Sequence, residues 1–432
     1  MQARPLPLGK LGFFLLVLAF AASISIYWAR FSGAVRALRS SSPDLRPKVL
    51  TDLYPIWYGT RALLLDHRDP YSAAVRRELQ IAYYGKELDS SKPRERLDQQ
   101  GFAYPIYLVF FVACLAQLQF HSAQTVFRIL LIACAASNLA LWIRFLRLRL
   151  SPLAMAACFV LTMTSIPILQ NLSILQPFLL PACFLAAAAA ATSSGRLFVA
   201  GSLSGLATIK PQVALLPLAW LALWVGVDWR RRISFAWGFA ITLAILLLAS
   251  LWLLPGWLSE YPGILRAYAG YTQAHSLLSA ALPPPLSWLV GVALGFVVGQ
   301  VCWRARRQPP DSPAFAIALA SVLALTVVTV PSMAQPFNQV LLLPTILLTV
   351  QHWQRLRQTS RATRMLASML CLCLFLPWLL SPVAIANPFD PQRDRLDNLW
   401  ALPLASDILL PFAAFCALML LQKVTLVREG SK

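Results

Sequence analysis

The first residue that could carry out chemistry is an aspartate beside a run of aromatic residues. Asp52 lies within Thr51-Asp52-Leu53-Tyr54-Pro55-Ile56-Trp57-Tyr58-Gly59, where an amphipathic helix is predicted to begin. A carboxylate at the membrane surface could take a proton from a substrate hydroxyl as a general base. An aspartate before a helix can also accept backbone N–H bonds as an N-cap. The spacing alone favours the N-cap, and the general base is the functional alternative.

A second candidate is a lysine in otherwise apolar sequence. Lys210 is followed by Pro211 and Gln212, and together they interrupt a long apolar stretch. An ammonium without a counter-charge is costly inside lipid, so such a lysine is a candidate functional residue. It could hold a phosphate as a point charge. Snorkelling of the ammonium to the lipid headgroups is the structural alternative.

Other polar side chains recur at the predicted outer ends of apolar runs. They are Gln170, Asn171, Gln176, His275, Ser276, Gln335, Asn338 and Gln339. Such groups could line a wet cavity, or they could bond one helix to another. The eight cysteines lie in or beside apolar runs without metal-ligand spacing, and no nucleotide-binding or metalloprotease motif is present. We therefore expect neither a metal nor a cofactor.

The elements that must position these residues are membrane helices. Of the 432 residues, 58% are hydrophobic and 12% are charged, whereas soluble domains have about 25% charged residues. A helix needs about 20 apolar residues to cross the hydrocarbon core. Backbone groups in lipid must bond internally, so long apolar runs are predicted to be helices. The continuous rather than alternating apolar pattern excludes an outer-membrane barrel.

We predict an all-α, polytopic membrane protein with about 12–13 transmembrane helices. The candidate spans are 11–29, 103–120, 124–143, 153–170, 174–191, 196–209, 211–227, 234–254, 285–303, 313–330, 337–350, 365–385 and 405–422. No soluble domain remains between them, so residues 1–432 are predicted to form a single integral membrane domain. The run 11–29 could be a signal peptide, but its length favours an uncleaved anchor.

Basic residues cluster at the ends of the apolar runs and give the chain a net charge of +20. The positive-inside rule and anionic lipid headgroups explain this charge better than nucleic-acid binding, which we do not expect. The clusters predicted to be cytoplasmic begin at Arg230, Arg304, Arg355 and Lys423. Three loops are then outside, namely 255–284, 331–336 and 386–404. Lys210 would lie at an outer turn between two short helices.

The long loop 30–102 holds nine of the seventeen acidic residues. Its stretch 53–64 has one apolar, aromatic face that is suited to the membrane interface. Arg4 and Lys10 favour an outer position for the loop, whereas counting spans back from Arg144 places it inside. The number of candidate spans is odd, which indicates that one of them is misread.

Four short motifs, in this order, resemble glycosyltransferase family 87. They are Asp-x-x-x-x-Trp at 52–57, Asp-Pro-Tyr at 69–71, Phe-x-Tyr-Pro at 102–105 and Lys-Pro-Gln at 210–212. The resemblance extends roughly over residues 8–350. It implies a GT-C-like fold with an extracytoplasmic active site. It also implies a general base in the long first loop. With the resemblance, the general-base interpretation of Asp52 is favoured over the N-cap interpretation.

The resemblance places 30–102 outside as a long first extracytoplasmic loop, with 255–284 as the second. Two regions depart from the family pattern. Many members carry Ser-Trp and His near the later outer loop, where this chain reads Pro331-Ser332-Met333-Ala334-Gln335-Pro336-Phe337-Asn338. The segment before Ser276 is also altered, and it reads Ala274-His275-Ser276-Leu277.

Together these observations predict a hexosyltransferase of a bacterial plasma (inner) membrane. The donor is a polyprenyl-phosphate sugar, with mannose as the expected hexose, and the acceptor is an extracytoplasmic lipid or glycan. Asp52 takes the proton of the acceptor hydroxyl, and the reaction inverts the anomeric carbon. The predicted substrate-binding residues are Lys210, Gln212, His275, Gln176, Tyr104 and Asn338.

A lipid or glycan transporter or flippase without chemistry is the main alternative. It would need polar groups through the midplane of the membrane, whereas most candidates here are predicted at one face. A structural membrane scaffold is a third hypothesis, and it predicts no role for Asp52 or Lys210.

Overall fold

The computed structural model describes residues 8–40, 50–89, 91, 99–272, 274–358, 361–387 and 400–429. Every regular element in these ranges is a helix. The α-helices are α1 (Leu8–Ser40), α2 (Leu53–Leu64), α3 (Ala73–Tyr84), α4 (Val109–Ala116), α5 (Phe120–Phe145), α6 (Pro152–Met163), α7 (Ile166–Ile174), α8 (Leu179–Ser193), α9 (Leu197–Leu206), α10 (Pro211–Val227), α11 (Trp229–Leu253), α12 (Trp257–Tyr271), α13 (Leu277–Ala281), α14 (Pro284–Ala305), α15 (Pro313–Thr329), α16 (Leu343–Gln351), α17 (Trp353–Arg357), α18 (Arg361–Ala386) and α19 (Ser406–Glu429). Short 3₁₀ turns are Ile106–Leu108, Ala207–Ile209, Pro336–Leu342 and Leu402–Leu404.

Each predicted apolar span forms a helix or a pair of helices. Six stretches are long and apolar enough to cross a membrane, namely Gly9–Val35, Phe120–Phe145, Trp229–Leu253, Pro284–Ala305, Thr363–Ala386 and Leu402–Gln422. Helices α6 and α7 are bent by 50° and together could form one more span. Shorter apolar helices are Ile106–Ala116, Leu179–Ser193, Leu197–Ile209, Pro211–Val227, Pro313–Thr329 and Pro336–Gln351. The prediction of an all-α polytopic membrane protein is confirmed.

The short helical stretch Ile106–Ala116 has both of its ends at one end of the bundle. Just before it, the Tyr104 hydroxyl donates to Gln176 Oε1 at 3.1 Å. At its far end, Trp57 Nε1 donates to the carbonyl of Leu115 at 3.0 Å. Each residue of a helix adds about 1.5 Å, so the stretch is too short to cross a hydrocarbon core of about 30 Å. This stretch is not among the six candidate membrane spans, and the side of the long loop stays a prediction.

The bundle has two chemically different ends. At the first, which we call the Asp52 end, Gln124 Nε2 at the start of α5 donates to Thr51 Oγ1 at 3.3 Å. Helix α5 then runs to Arg144 at the opposite end, which we call the arginine end. There Arg147 pairs with Asp311 at 3.1 Å. The basic clusters of the sequence thus lie across the bundle from Asp52.

Glycines allow α9 and α11 to approach each other closely. A Cβ atom added at Gly201 would lie 2.0 Å from the carbonyl oxygen of Phe235. One added at Gly238 would lie 2.0 Å from the carbonyl oxygen of Phe198. Small residues at helix interfaces are a common basis of packing in membranes. This contact fixes α9, and the turn that follows α9 leads to Lys210.

Helix α1 packs against the C-terminal part of the chain. The Tyr27 hydroxyl donates to the carbonyl of Trp400 at 2.5 Å, and Trp28 Nε1 donates to Ser173 Oγ at 2.6 Å. Tyr27 is fully buried. The first apolar run therefore takes part in the bundle, and the uncleaved anchor stays a prediction.

Candidate active site

Asp52 stands at the N-cap position of α2, but its carboxylate does not cap the helix. Its backbone is helical, with φ −61° and ψ −13°, and its side chain makes no capping hydrogen bond. Its backbone N–H donates to the carbonyl of Ile174 at 2.8 Å, which joins the start of α2 to the end of α7. The carboxylate is thus held away from the N–H groups of its own helix, where a capping aspartate would bind.

The Asp52 carboxylate is oriented by a short hydrogen-bonded chain. Gln176 Nε2 donates to Asp52 Oδ2 at 2.6 Å. The other side of the same amide is held, because the Tyr104 hydroxyl donates to Gln176 Oε1 at 3.1 Å. The Tyr71 hydroxyl in turn donates to the carbonyl of Tyr104 at 2.6 Å. Residues of three sequence motifs, Asp52, Tyr71 and Tyr104, therefore belong to one network.

An unusual backbone conformation presents Gln176 to Asp52. Leu175 has φ 53° and ψ 51°, in the left-handed region. A residue with a Cβ atom rarely adopts this conformation, and it costs on the order of 1–3 kcal/mol. It ends α7 and turns the chain towards α8. Strain of this kind is concentrated at functional sites, which agrees with a role for Gln176.

Lys210 is buried at the break between α9 and α10. Only 8% of the residue is exposed, so its ammonium does not reach the surface as snorkelling would require. The Lys210 Nζ lies 5.0 Å from the ring centroid of Phe178 and 5.2 Å from that of Phe337. Among the described residues, its ammonium has no hydrogen-bonding or ion-pair partner within contact distance. Asp52 is the acidic group whose charge acts on it.

The polar residues of α7 hold the wall of this lysine site. Gln170 Oε1 accepts from the Phe337 backbone N–H at 2.8 Å, and Asn171 Nδ2 donates to the Phe337 carbonyl at 3.0 Å. These two side chains therefore bond one segment to another, as the structural alternative for them predicted. They fix the Phe337 ring over Lys210.

Asn338 is also buried beside this wall. Its Nδ2 donates to the carbonyl of Ser332 at 3.2 Å. Its Oδ1 atom is buried and has no hydrogen-bonding partner among the described residues. A buried polar atom in this state is costly, and a bound hydroxyl or water could satisfy it.

His275 and Gln212 lie further from the network. The His275 side chain is exposed, and its carbonyl accepts from the Ser332 N–H at 3.2 Å. This contact joins the 274–276 segment to the loop that leads to Asn338. Gln212 is half-buried in the first turn of α10. In the described part of the chain, neither side chain has a direct contact with Asp52 or Lys210.

A group of tyrosines near Tyr104 was not expected from the sequence. Burial raises the pKa of Tyr104 well above its usual value, and the neighbouring Tyr268, Asp52 and Tyr261 raise it further. Tyr104 therefore stays a protonated hydrogen-bond donor at neutral pH. The spacing of Tyr261 and Tyr268 in α12 puts them on one helical face, and this periodicity could have identified them.

Helix α12 also contacts the long first loop and the 3₁₀ turn that follows it. The ring centroids of Tyr71 and Tyr261 are 6.3 Å apart. The ring centroids of Tyr107 and Trp257 are 6.0 Å apart, with the rings edge to face. Helix α12 thus covers the network on the side of Tyr104. Aromatic side chains are typical of the walls of small-molecule sites.

The arrangement places a carboxylate, a buried ammonium and aromatic rings at one end of the bundle. The carboxylate could remove a proton, and the ammonium could stabilise a negative charge that develops in a water-poor site. Among the described residues, no three His, Cys, Asp or Glu side chains are grouped so that they could hold a metal ion.

A comparison with protein families gives a match to this chain. The family model described as glycosyltransferase family 87 matches residues 102–332, which is more than half of the chain. The matched region includes Tyr104, Gln176 and Lys210, and Asp52 lies before it. No curated protein and no solved structure matches the chain.

Proposed function

This chain belongs to glycosyltransferase family 87 and is therefore a membrane glycosyltransferase, for which we propose a specific reaction. A hexose, with mannose as the first candidate, passes from a polyprenyl phosphate to a hydroxyl of a lipid or glycan acceptor. The orientation of Asp52 by Gln176, opposite a buried ammonium, is the observation that supports the proposal most strongly.

Asp52 acts as the general base in this scheme. It takes the proton of the acceptor hydroxyl while the acceptor oxygen attacks the anomeric carbon. The bond between that carbon and the phosphate oxygen breaks, and its electron pair leaves with the polyprenyl phosphate. A single displacement inverts the anomeric carbon. Gln176 supports this role, since its amide binds one oxygen of the carboxylate and thereby orients the group.

Lys210 stabilises the phosphate that leaves. Its ammonium is buried between two aromatic rings, so an anion that approached it would interact in a medium of low dielectric constant. The ammonium acts as a point charge, and it needs no fixed geometry towards the phosphate oxygens. Gln212, in the next turn of the chain, is proposed to contact the same group.

The sugar is proposed to lie between Asp52 and the tyrosines. Tyr104, Tyr268 and Tyr271 offer aromatic faces and hydroxyl groups on the side of α12. Asn338 has a buried oxygen that could accept from a sugar hydroxyl. His275 is proposed to contact the acceptor, because it is exposed at the rim of the same end. The sequence carries no nucleotide-binding motif, so the sugar arrives already attached to lipid.

The active site is proposed to face the extracytoplasmic side of a bacterial plasma membrane. Asp52 lies near the start of α5 and Arg144 near its end, and 26 residues of helix separate these two ends of the bundle. Positive charge marks the cytoplasmic side of membrane proteins. The arginine end is therefore proposed to be cytoplasmic, which leaves Asp52 outside.

The reaction is tested by giving the purified protein in vesicles a polyprenyl phosphate that carries a labelled hexose. We expect the label to enter a new glycosidic bond, with one polyprenyl phosphate released per transfer and no requirement for a nucleotide sugar. Mannose, glucose and galactose donors are compared side by side. Movement of the intact donor across the bilayer without a new bond would instead support a flippase.

A further inference from the structure

A cavity lies among the helices, apart from the Asp52 network. It has a volume of about 420 Å³ and lies between α5, α6, α7, α16, α18 and α19. This volume is within the range of ligand pockets, about 300–1,000 Å³. Its walls are mostly apolar, with Leu139, Leu161, Ile166, Leu347, Phe375 and Trp378 among them. We call it the α6–α18 cavity.

Among the described residues, Arg149 is the only charged residue that lines the α6–α18 cavity. Arg149 is exposed and lies just before α6 at the arginine end. Gln351 lines the same end, and its Nε2 donates to the Leu146 carbonyl at 3.5 Å. The lining continues from there to Pro167 and Gln339. The cavity is therefore an apolar chamber with a cation at one end.

We propose that the α6–α18 cavity binds an acyl chain of an anionic phospholipid, with the lipid phosphate at Arg149. An apolar chamber among membrane helices suits an acyl chain, since lipid chains are the apolar molecules of its surroundings. A guanidinium at its end suits a phosphate, because its planar fork can bind two phosphate oxygens. Among the described residues, Arg149 has no ion pair that would compete for this role.

The isoprenoid chain of the glycosyl donor fits the α6–α18 cavity less well. Neither Asp52 nor Lys210 lines it, and its charge lies at the arginine end. The donor phosphate is proposed to lie at Lys210, across the bundle from Arg149. A phospholipid and a donor would thus enter from opposite ends, and the two proposals can fail independently.

A bound chain would also support the wall of the candidate active site. Gln339 and Val340 line the α6–α18 cavity, and they belong to the same 3₁₀ turn as Phe337. The Phe337 ring lies 5.2 Å from Lys210 Nζ. Filling the cavity would therefore hold the turn that places this ring.

The test uses the full-length protein in vesicles of phosphatidylglycerol and phosphatidylcholine. Trace amounts of either lipid carry a photoactivatable group in the acyl chain, and labelled residues are mapped by mass spectrometry. We expect the phosphatidylglycerol probe to label the α6 and α18 residues of the cavity more than the phosphatidylcholine probe. Arg149→Ala should lower this preference by about fivefold, which corresponds to the loss of about 1 kcal/mol per basic residue at an anionic lipid.

Two variants control for folding and for general surface charge. Arg196→Ala removes an exposed arginine that does not line the cavity, and it should keep the preference. Leu161→Trp fills the cavity and should lower labelling by both probes. Equal labelling by the two lipids in the unmodified protein would overturn the proposal, as would an unchanged preference in Arg149→Ala. Displacement of the probe by polyprenyl phosphate, but not by unlabelled phosphatidylglycerol, would assign the cavity to the donor chain instead.

Discussion

At the level of single residues, the buried Lys210 ammonium is the group that most needs an anionic partner. A buried charge without a hydrogen-bonding partner costs free energy, and such groups are retained where they bind a counter-charge. The aromatic rings of Phe178 and Phe337 offset part of this cost. A phosphate that binds there would remove the remainder.

We therefore expect Lys210→Ala to weaken use of the donor strongly, and Lys210→Arg to weaken it much less. Charge rather than geometry determines a point contact, so arginine should keep most of the effect. Loss of a charged hydrogen bond of about 1.5–3 kcal/mol corresponds to a rise of roughly 10- to 100-fold in the donor KM. The measurement is donor-dependent transfer in vesicles, with Lys210→Met as the control for side-chain volume. Near-normal activity in both Ala and Arg variants would exclude the proposed contact.

Sequence patterns identified some residues of the candidate site and missed others for a physical reason. Asp52 and Lys210 stand out locally, because a charge in or beside an apolar run is unusual. The tyrosines of α12 become important only through contacts with Tyr104, which is more than 150 residues away. Hydrophobic periodicity describes neighbours along one helix, and it contains no information on such long-range contacts.

At the scale of elements, an ion-pair network joins α2 to α3. Arg68 Nη2 and Nη1 donate to the two oxygens of Glu78 at 2.7 and 3.0 Å. The Tyr58 hydroxyl donates to Glu78 Oε2 at 2.5 Å. These contacts connect the helix that begins after Asp52 to the rest of the long loop.

The α2–α3 network should make the long loop sensitive to acid. The hydrogen bonds from Arg68 and Tyr58 lower the pKa of Glu78 below its usual value of 4.5. A lowered pKa in the folded state stabilises the fold above the unfolded pKa, and this contribution is lost as the pH falls through the folded pKa. We expect hydrogen-exchange protection of α3, corrected for intrinsic rates, to decrease below about pH 4.5. Glu78→Gln should lose that pH dependence.

The exposed ion pair between Arg77 and Glu87 is the matched control for this network. Its Arg77 Nε and Glu87 Oε2 atoms are 2.8 Å apart. Exposed ion pairs contribute little, so Glu87→Gln should leave the protection of α3 and its pH dependence almost unchanged. An identical acid response in Glu78→Gln and in the unmodified protein would exclude Glu78 as its cause.

The contact between α9 and α11 should be intolerant of even one methyl group. A Cβ at Gly201 would meet backbone atoms that cannot rotate away, whereas Gly299 in α14 has open space around it. We expect Gly201→Ala to destabilise the protein by about 1–3 kcal/mol through overpacking. Gly299→Ala should be neutral or slightly stabilising, because alanine favours a helix. Thermal unfolding in detergent measures both, and equal midpoints for the two variants would contradict this account.

At the scale of the whole molecule, the helices were predictable and their arrangement was not. Long apolar runs must form helices in lipid, so the candidate spans could be located from composition alone. Whether a short run crosses depends on tertiary contacts. For Ile106–Ala116, the bonds of Trp57 and Tyr104 hold both of its ends near the Asp52 end of the bundle. Whether this run is counted as a span determines the predicted side of the long loop.

The sidedness of the protein is tested by cysteine accessibility in intact cells. In a background without native cysteines, Ser91→Cys lies in the long loop and Ser194→Cys lies between α8 and α9 at the arginine end, and both positions are exposed. An impermeant maleimide should label position 91 in intact cells and position 194 only after permeabilisation. The reverse pattern would place the active site in the cytoplasm.

Turnover by the whole enzyme is proposed to depend on the Asp52 carboxylate. A sugar hydroxyl is a poor nucleophile until its proton has an acceptor, and a positioned base contributes about 100- to 10,000-fold to such a step. Asp52→Asn keeps the size of the side chain, and its amide oxygen can still accept from Gln176 Nε2. It removes the basicity and the negative charge of the side chain. Asp66→Asn is the matched control, because it makes the same change from carboxylate to carboxamide at an exposed residue of the same loop.

The decisive measurement is transfer of labelled hexose from polyprenyl phosphate by equal amounts of Asp52→Asn, Asp66→Asn and unmodified protein in vesicles. We expect Asp52→Asn to insert and to bind the donor normally, while its kcat falls by about 100- to 10,000-fold. Asp66→Asn should transfer sugar at nearly the normal rate. Full activity in a well-folded Asp52→Asn protein would contradict the account and remove Asp52 from the mechanism.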